Sequence, residues 1–267
     1  MKNTDRQVVW ICGAAHSGST LAGYYLGASP EPFKYFHVGE CHAFFRSKHK
    51  NYGNPKFASD FWDKIDPTIS HAKTYGEIFS GSDATVLIDS SKLLQWFGPM
   101  RQFLRRTQIP VHIVVALRPF VRIVRSSLVR KPEGLHAINA LNYYRKLLAD
   151  IRILSPDSIS VVTPQTFLGD YPDKLKTLCK TTNIPYYDDK KSYWNYQHHC
   201  LYGATLQRQQ ATGQLNPGIV ARKDDAITDF SRELNIIDEN GFSDLESGYV
   251  EKLFKAAVTK EVFDLRA

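Results

Sequence analysis

The sequence is short of sulfur: 267 residues hold four cysteines and two methionines. Cys12, Cys41, Cys179 and Cys200 form no C-x-x-C pair. That spacing argues against a disulfide frame or a zinc signature and for reduced thiols in a cytosolic protein. Long apolar runs are also missing. None approaches the roughly 20 residues of a membrane span, so no membrane partner is expected. The polar start MKNTDRQ leads straight into an apolar stretch without a signal-peptide pattern, which places the expected location in the cytoplasm. No repeat, low-complexity tract or linker divides the chain, and 1–267 reads as a single domain.

What is present is ordinary globular composition, 43% hydrophobic and 23% charged, with a net charge of +7. A positive balance suits an anionic ligand, a nucleic acid or an acidic surface, and does not choose among them.

The most informative stretch is VVWICGAAHSGSTLAGYYLGASP, from Val8 to Pro30. An apolar run ends at Gly13, a small-residue loop follows, and Ser19-Thr20-Leu21 opens a helical pattern. Strand, glycine loop and helix start in that order make an anion site, because free backbone N–H groups and the helix dipole both favour negative charge there. The spacing Gly13-x4-Gly18 is that of a phosphate-binding loop. A nucleotide-hydrolysing loop places lysine directly after the second glycine, and here that residue is Ser19. The loop therefore reads as built for a phosphate but not for ATP with magnesium. A tight turn that only serves packing is the plainer alternative.

Buried strands are expected at Val8–Cys12, Thr85–Ile88, Val111–Leu117 and Ile159–Val162, with helices at Leu93–Arg106, Phe120–Val129, Leu135–Leu154 and Asp173–Thr181. A final amphipathic helix is expected at Ser243–Val262. The alternation predicts an α/β fold of three layers, a central parallel sheet of about four to five strands with helices on both faces. Ligands of such sheets bind beyond the carboxyl ends of the strands. Polar residues stand just there: the Gly13 loop, Asp89-Ser90-Ser91-Lys92, and Arg118. Residues 32–83 form a long aromatic-rich insert, with Phe33, Tyr35, Phe36, Phe44, Phe45, Tyr52, Phe57, Phe61 and Trp62, and read as a lid or acceptor wall, part of it packed on the sheet.

Counting from Arg118, the offsets +4, +7 and +8 bring Arg122, Arg125 and Ser126 near one side of the helix that Pro119 opens. An arginine fork with a serine hydroxyl can grip one phosphate. A solvated basic face, or a patch for nucleic acid, is the alternative for Arg122 and Arg125.

Together these pieces resemble sulfotransferases that use 3′-phosphoadenosine 5′-phosphosulfate (PAPS). The family's [KR]-S-G-[ST]-[ST]-L loop stands as His16-Ser17-Gly18-Ser19-Thr20-Leu21, and its R-x7-S as Arg118 to Ser126. The D-S-S-K of the bacterial and glycan-type branch stands as Asp89 to Lys92. The G-E which that branch shares with tyrosylprotein sulfotransferases stands as Gly39-Glu40. The resemblance covers roughly the first half of the chain. It implies a P-loop-like domain that moves a sulfuryl group from PAPS to a hydroxyl or amine and releases 3′-phosphoadenosine 5′-phosphate (PAP), with no metal. It further implies that Ala15, His16, Ser17, Gly18, Ser19 and Thr20, with Ser91, hold the 5′-phosphosulfate. Arg118 and Ser126 would clamp the 3′-phosphate, Lys92 and His16 would stabilise the transferring group, and Glu40 would be the base. By closeness in sequence its rivals are His37 and His42; on a strand His37 would face away from Glu40 and His42, two residues on, would share its face.

The chain departs from the pattern in three places. His16 replaces Lys or Arg, and Pro164-Gln165-Thr166-Phe167 replaces the usual Tyr-Glu-Asp-Leu. The C-terminal basic loop is echoed only by Gly203 to Arg208, or by Arg222-Lys223. The expected acceptor is a small organic or glycosidic molecule, with no nucleic acid partner. The alternatives are a P-loop small-molecule kinase, with Asp89 holding magnesium, and a nucleic-acid-binding protein that uses Arg101, Arg105, Arg106 and Arg122 to Arg130.

Overall fold

The computed structural model describes residues 5–42, 61–66, 68–92, 94–116, 123, 142–143, 146–147, 149–150, 154, 157–162 and 172–200. Five strands form one sheet: β1 (Gln7–Cys12), β2 (Tyr35–Gly39), β3 (Val86–Asp89), β4 (Val111–Ala116) and β5 (Ser158–Val162). Their order is β2-β3-β1-β4-β5 and every pairing is parallel. The helices whose bounds fall among the described residues are α1 (Ser19–Gly27), α2 (His71–Gly81), α3 (Leu94–Thr107) and α4 (Pro172–Thr181).

A parallel sheet covered on both faces needs strands that are apolar throughout. β1 meets this with Val8 to Cys12, all fully buried. Side chains alternate, so Val8, Trp10 and Cys12 join the core beneath α2 and α3, with Tyr75, Ile78, Phe97 and Leu104. Val9 and Ile11 join the opposite core, with Tyr24 and Leu26 of α1 and Leu175 and Leu178 of α4. Trp10 stacks on Phe97 with ring centres 4.4 Å apart.

This layering fixes where a ligand can enter. The helix after β1 lies on one face and the helix after β3 on the other, although β1 and β3 are neighbours. Adjacent strands whose connections leave in opposite directions open a crevice at their carboxyl ends. Here the crevice lies between the Gly13 loop and Asp89 to Lys92.

β2 lies inside the stretch expected to be an insert and is instead the edge strand of the central sheet, paired to β3. Phe36, Phe61 and Trp62 are core residues rather than an acceptor wall. Phe33 is 46% exposed. Phe44, Phe45, Tyr52 and Phe57 lie outside the described residues, as do the expected helices Phe120–Val129 and Ser243–Val262 and most of Leu135–Leu154. The C-terminal end of α1 is closed by Lys190, which is fully buried and donates to the carbonyls of Tyr25, Leu26 and Ala28 at 3.3, 3.0 and 2.5 Å. Among the described residues no helix is long and apolar enough to cross a membrane.

Candidate functional site

The loop after β1 is shaped by close approach. A Cβ on Gly13 would lie 2.3 Å from Ser17 Oγ and 2.8 Å from the Ala116 carbonyl oxygen, so only glycine fits between the loop and the end of β4. The Gly13 N–H donates to the Tyr143 hydroxyl at 3.1 Å, and Ser17 N–H donates to the Ala14 carbonyl at 3.1 Å. His16 (φ 67°) and Gly18 (φ 96°) are both left-handed and fold the loop over the start of α1. Histidine accepts that conformation more readily than bulky or β-branched residues do.

Gly18 is the N-cap of α1 and no side chain caps the helix. The first-turn N–H groups of a helix have no partner within it, and their dipole favours an anion. A second observation points the same way. Ser17 is 1% exposed, and among the described residues its hydroxyl has no hydrogen-bond partner. A buried hydroxyl without a partner is costly, and an oxyanion at the helix start would satisfy it. Ser19 and Thr20 are buried in the first turn, His16 is half-buried and Ala15 is exposed.

The neighbouring strand supplies the charges. Trp10 of β1 is level with Asp89 of β3, and from there each chain runs three residues to Gly13 and Lys92. Gly39 of β2 also pairs with Asp89, after a register shift that Gly39 absorbs with φ 64°. Glu40 therefore leaves the sheet beside Lys92. Lys92 Nζ lies 2.7 Å from Glu40 Oε1, with side chains 24% and 20% exposed. Adjacent strands are about 4.8 Å apart, so carboxylate, ammonium and anion loop follow one another along the edge β2-β3-β1.

Asp89 is the brace beneath this edge. It is fully buried. Oδ2 accepts from the Tyr75 hydroxyl at 2.6 Å and Trp96 Nε1 at 3.0 Å, and Oδ1 accepts from Ser91 N–H at 2.7 Å. Trp10 Nε1 in turn donates to Tyr75 at 2.8 Å. Burial pushes the Asp89 carboxyl pKa up, and the donors around it oppose that rise. Both oxygens serve the scaffold, so Asp89 is not placed as a magnesium ligand.

Ser91 is part of the same brace, its hydroxyl accepting His42 N–H at 2.9 Å. His42 follows Glu40 by two residues and is 9% exposed. His37 faces α1 instead, where Gly23 and Gly27 approach its ring. Cys12 and Cys41 are buried, and burial pushes both thiols up.

Sequence reasoning did not single out four contributors. Ser90 is fully buried, and among the described residues its hydroxyl has no hydrogen-bond partner; its place in D-S-S-K was the only signal. Tyr143 lies 130 residues from Gly13, and Tyr75 and Trp96, 14 and 7 residues from Asp89, belong to neighbouring helices; none of the three carries a local cue. Arg118 and Ser126, and likewise Gly203, Arg208, Arg222 and Lys223, lie outside the described residues. Arg101 is only 9% exposed; its Nε donates to the Leu154 carbonyl at 2.7 Å and its Nη2 lies 3.7 Å from Asp157. It is thereby removed from any basic surface track.

No protein-family model matches the chain. No curated protein matches its sequence. Among solved structures, the chain is similar to the sulfotransferase domain from the curacin biosynthetic pathway, at 14% identity and a TM-score of 0.48, over 89% of this chain and 98% of that one.

Proposed function

We propose that the protein is a sulfotransferase that moves a sulfuryl group from PAPS to a hydroxyl or amine of a small organic or glycosidic acceptor. One observation carries the reading: the 2.7 Å Glu40–Lys92 pair stands one strand away from an uncapped helix start with a buried, unpartnered Ser17 hydroxyl. The residues fit the donor. Ser17, the first-turn N–H groups of α1 and His16 would hold its 5′-phosphosulfate. The chain leaves β4 at Ala116, against Gly13, two residues before Arg118. Arg118 with Ser126 would hold the 3′-phosphate.

PAPS supplies the sulfuryl group, whose bond to the 5′-phosphate oxygen breaks as the bond to the acceptor oxygen or nitrogen forms. Glu40 takes the acceptor's proton. Lys92 has three N–H donors, so it can keep Glu40 aligned and still donate to the transferring group. Lys92 and the loop donors then face the charge that grows on the leaving phosphate, where pre-placed donors lower the barrier most. A sulfuryl group carries less charge than a phosphoryl group, so these side chains can do what magnesium does in a kinase. The kinase reading needs a free acid for that ion, and Asp89 is engaged by Tyr75, Trp96 and Ser91.

The test is steady-state transfer from PAPS to a panel of phenols, alcohols, amines and glycosides. Glu40→Gln should lower kcat by roughly 10²–10⁴-fold with PAP affinity kept. Lys92→Ala should lower kcat by roughly a hundredfold or more, also with PAP affinity kept. Near-normal turnover in Glu40→Gln together with a dead His42→Ala would move the base to His42. Normal turnover in Lys92→Ala would make that residue structural.

A further inference from the structure

On the α1 face of the sheet, away from the Asp89 brace, His37 of β2 meets His198 and Cys200 from the segment after the 3-10 turn Tyr193–Asn195. All three are buried. His37 Nδ1 lies 3.2 Å from His198 Nδ1 and 3.1 Å from Cys200 Sγ. One ligand atom from each residue falls within 4.8 Å of the other two. A tetrahedral ion with bonds of about 2.05 Å to nitrogen and 2.3 Å to sulfur would space its donors about 3.3–3.6 Å apart. The two short distances fall a little below that spacing and the third pair lies within 4.8 Å, so small side-chain shifts would close the set around one ion.

The surroundings are built for these rings. A Cβ on Gly23 would lie 2.6 Å from His37 Nε2, and one on Gly27 would lie 2.5 Å from His37 Cβ, so α1 gives up two side chains where the imidazole enters. Tyr24 packs edge-on against both histidines, at 5.1 and 4.8 Å between ring centres. His198 Nε2 is 3.0 Å from the Tyr193 carbonyl. A carbonyl accepts only, so Nε2 carries the proton and Nδ1 turns its lone pair toward His37 and Cys200. A backbone carbonyl on the remote nitrogen is the usual support of a metal-bound histidine. Without an ion, a proton on His37 Nδ1 points to His198 Nδ1, and the Cys200 thiol donates to the His37 carbonyl at 3.6 Å.

We propose that His37, His198 and Cys200 bind one thiophilic cation, zinc(II) or copper(I), which ties the β2 edge strand to the C-terminal segment. Binding displaces the Cys200 thiol proton to solvent and forms a metal–thiolate bond, so one proton is released per ion. Two imidazoles and a thiolate suit both ions. With copper(I) the centre is neutral. With zinc(II) it keeps one positive charge. The ion is structural and stands outside the transfer step. The proposal holds whether or not the protein transfers sulfuryl groups.

The experiment is elemental analysis of the purified full chain, loaded with zinc(II) in one arm and with copper(I) under anaerobic conditions in the other, then gel-filtered. About one ion per chain is expected in at least one arm, and the arm identifies the ion. Removing it with a strong chelator should lower the melting temperature. Cobalt(II) in place of zinc should give a thiolate charge-transfer band that Cys200→Ser lacks. Less than about a tenth of an ion per chain in both arms, in protein that melts cooperatively, would overturn the proposal. So would equal loading of the wild type and of both Cys200→Ser and His198→Ala.

Discussion

Replacing Asp89 by asparagine tests whether a buried carboxylate holds the candidate site in place. The carboxylate accepts three hydrogen bonds: Tyr75 and Trp96 on one oxygen, Ser91 N–H on the other. Asparagine has one acceptor oxygen and two N–H donors. If its oxygen faces Tyr75 and Trp96, its NH2 faces the Ser91 N–H. If it flips, the NH2 faces two donors. Either way at least one buried donor loses its partner, which costs about 1–3 kcal/mol, and a second donor is buried against it. In a domain of this size each kcal/mol lowers the melting temperature by about 2–4 °C, so the melt should fall by about 2–12 °C. Ser91 and Lys92 follow Asp89 directly, so PAPS turnover should fall further than stability alone explains. The assay is thermal denaturation by circular dichroism for Asp89→Asn, Tyr75→Phe and the double variant. Tyr75→Phe removes a donor to the same oxygen, so the pair should be non-additive by about 0.5–3 kcal/mol. An unchanged melt in Asp89→Asn, or strict additivity, would refute the brace.

Gly13→Ala should abolish PAP binding while the protein still folds, because the new Cβ meets the backbone oxygen of Ala116 at 2.8 Å and must push the loop aside; isothermal calorimetry with unchanged affinity would contradict this. His112 makes the pH prediction. Its ring lies between Ser158 and Ser160, and burial pushes its pKa from 6.5 down to about 4. The unfolded chain takes up this proton first, so the stabilisation is complete above pH 6.5 and is lost as the pH falls toward 4. At about 1.4 kcal/mol per pH unit the loss is on the order of 3 kcal/mol, and urea midpoints of His112→Gln should fall correspondingly less over that window than those of the wild type.

The sheet was legible where strands are continuous apolar runs. β1, β3 and β4 are buried on both faces, and composition alone marks such strands. β2 was not legible. It is short, contains His37 and sits among aromatics, and what makes it a strand is its pairing with β3, some fifty residues later. The same limit governs the site. The Gly13 loop is a local motif and could be read. The Glu40–Lys92 pair joins two motifs that only the strand order brings together. Asp89 reads from its neighbours as a free acid that could take magnesium. Its actual surroundings come from Tyr75 and Trp96, which no motif contains. His198-x-Cys200 is too short to signal a ligand set, and its third member lies 161 residues away from His198, on β2. Arg101, expected on a basic face, is drawn inward by the Leu154 carbonyl.

If the protein is a sulfotransferase as proposed, the carboxyl ends of β1 and β3 take PAPS and not ATP with magnesium. The most direct measurement is a thermal shift of the wild-type protein with PAP, ATP–magnesium and NADPH side by side, in magnesium-free buffer for the first. Anything that binds only the folded state raises the melting temperature. A clear rise is expected with PAP and little or none with the other two. A larger rise with ATP–magnesium, or none with PAP, would contradict it.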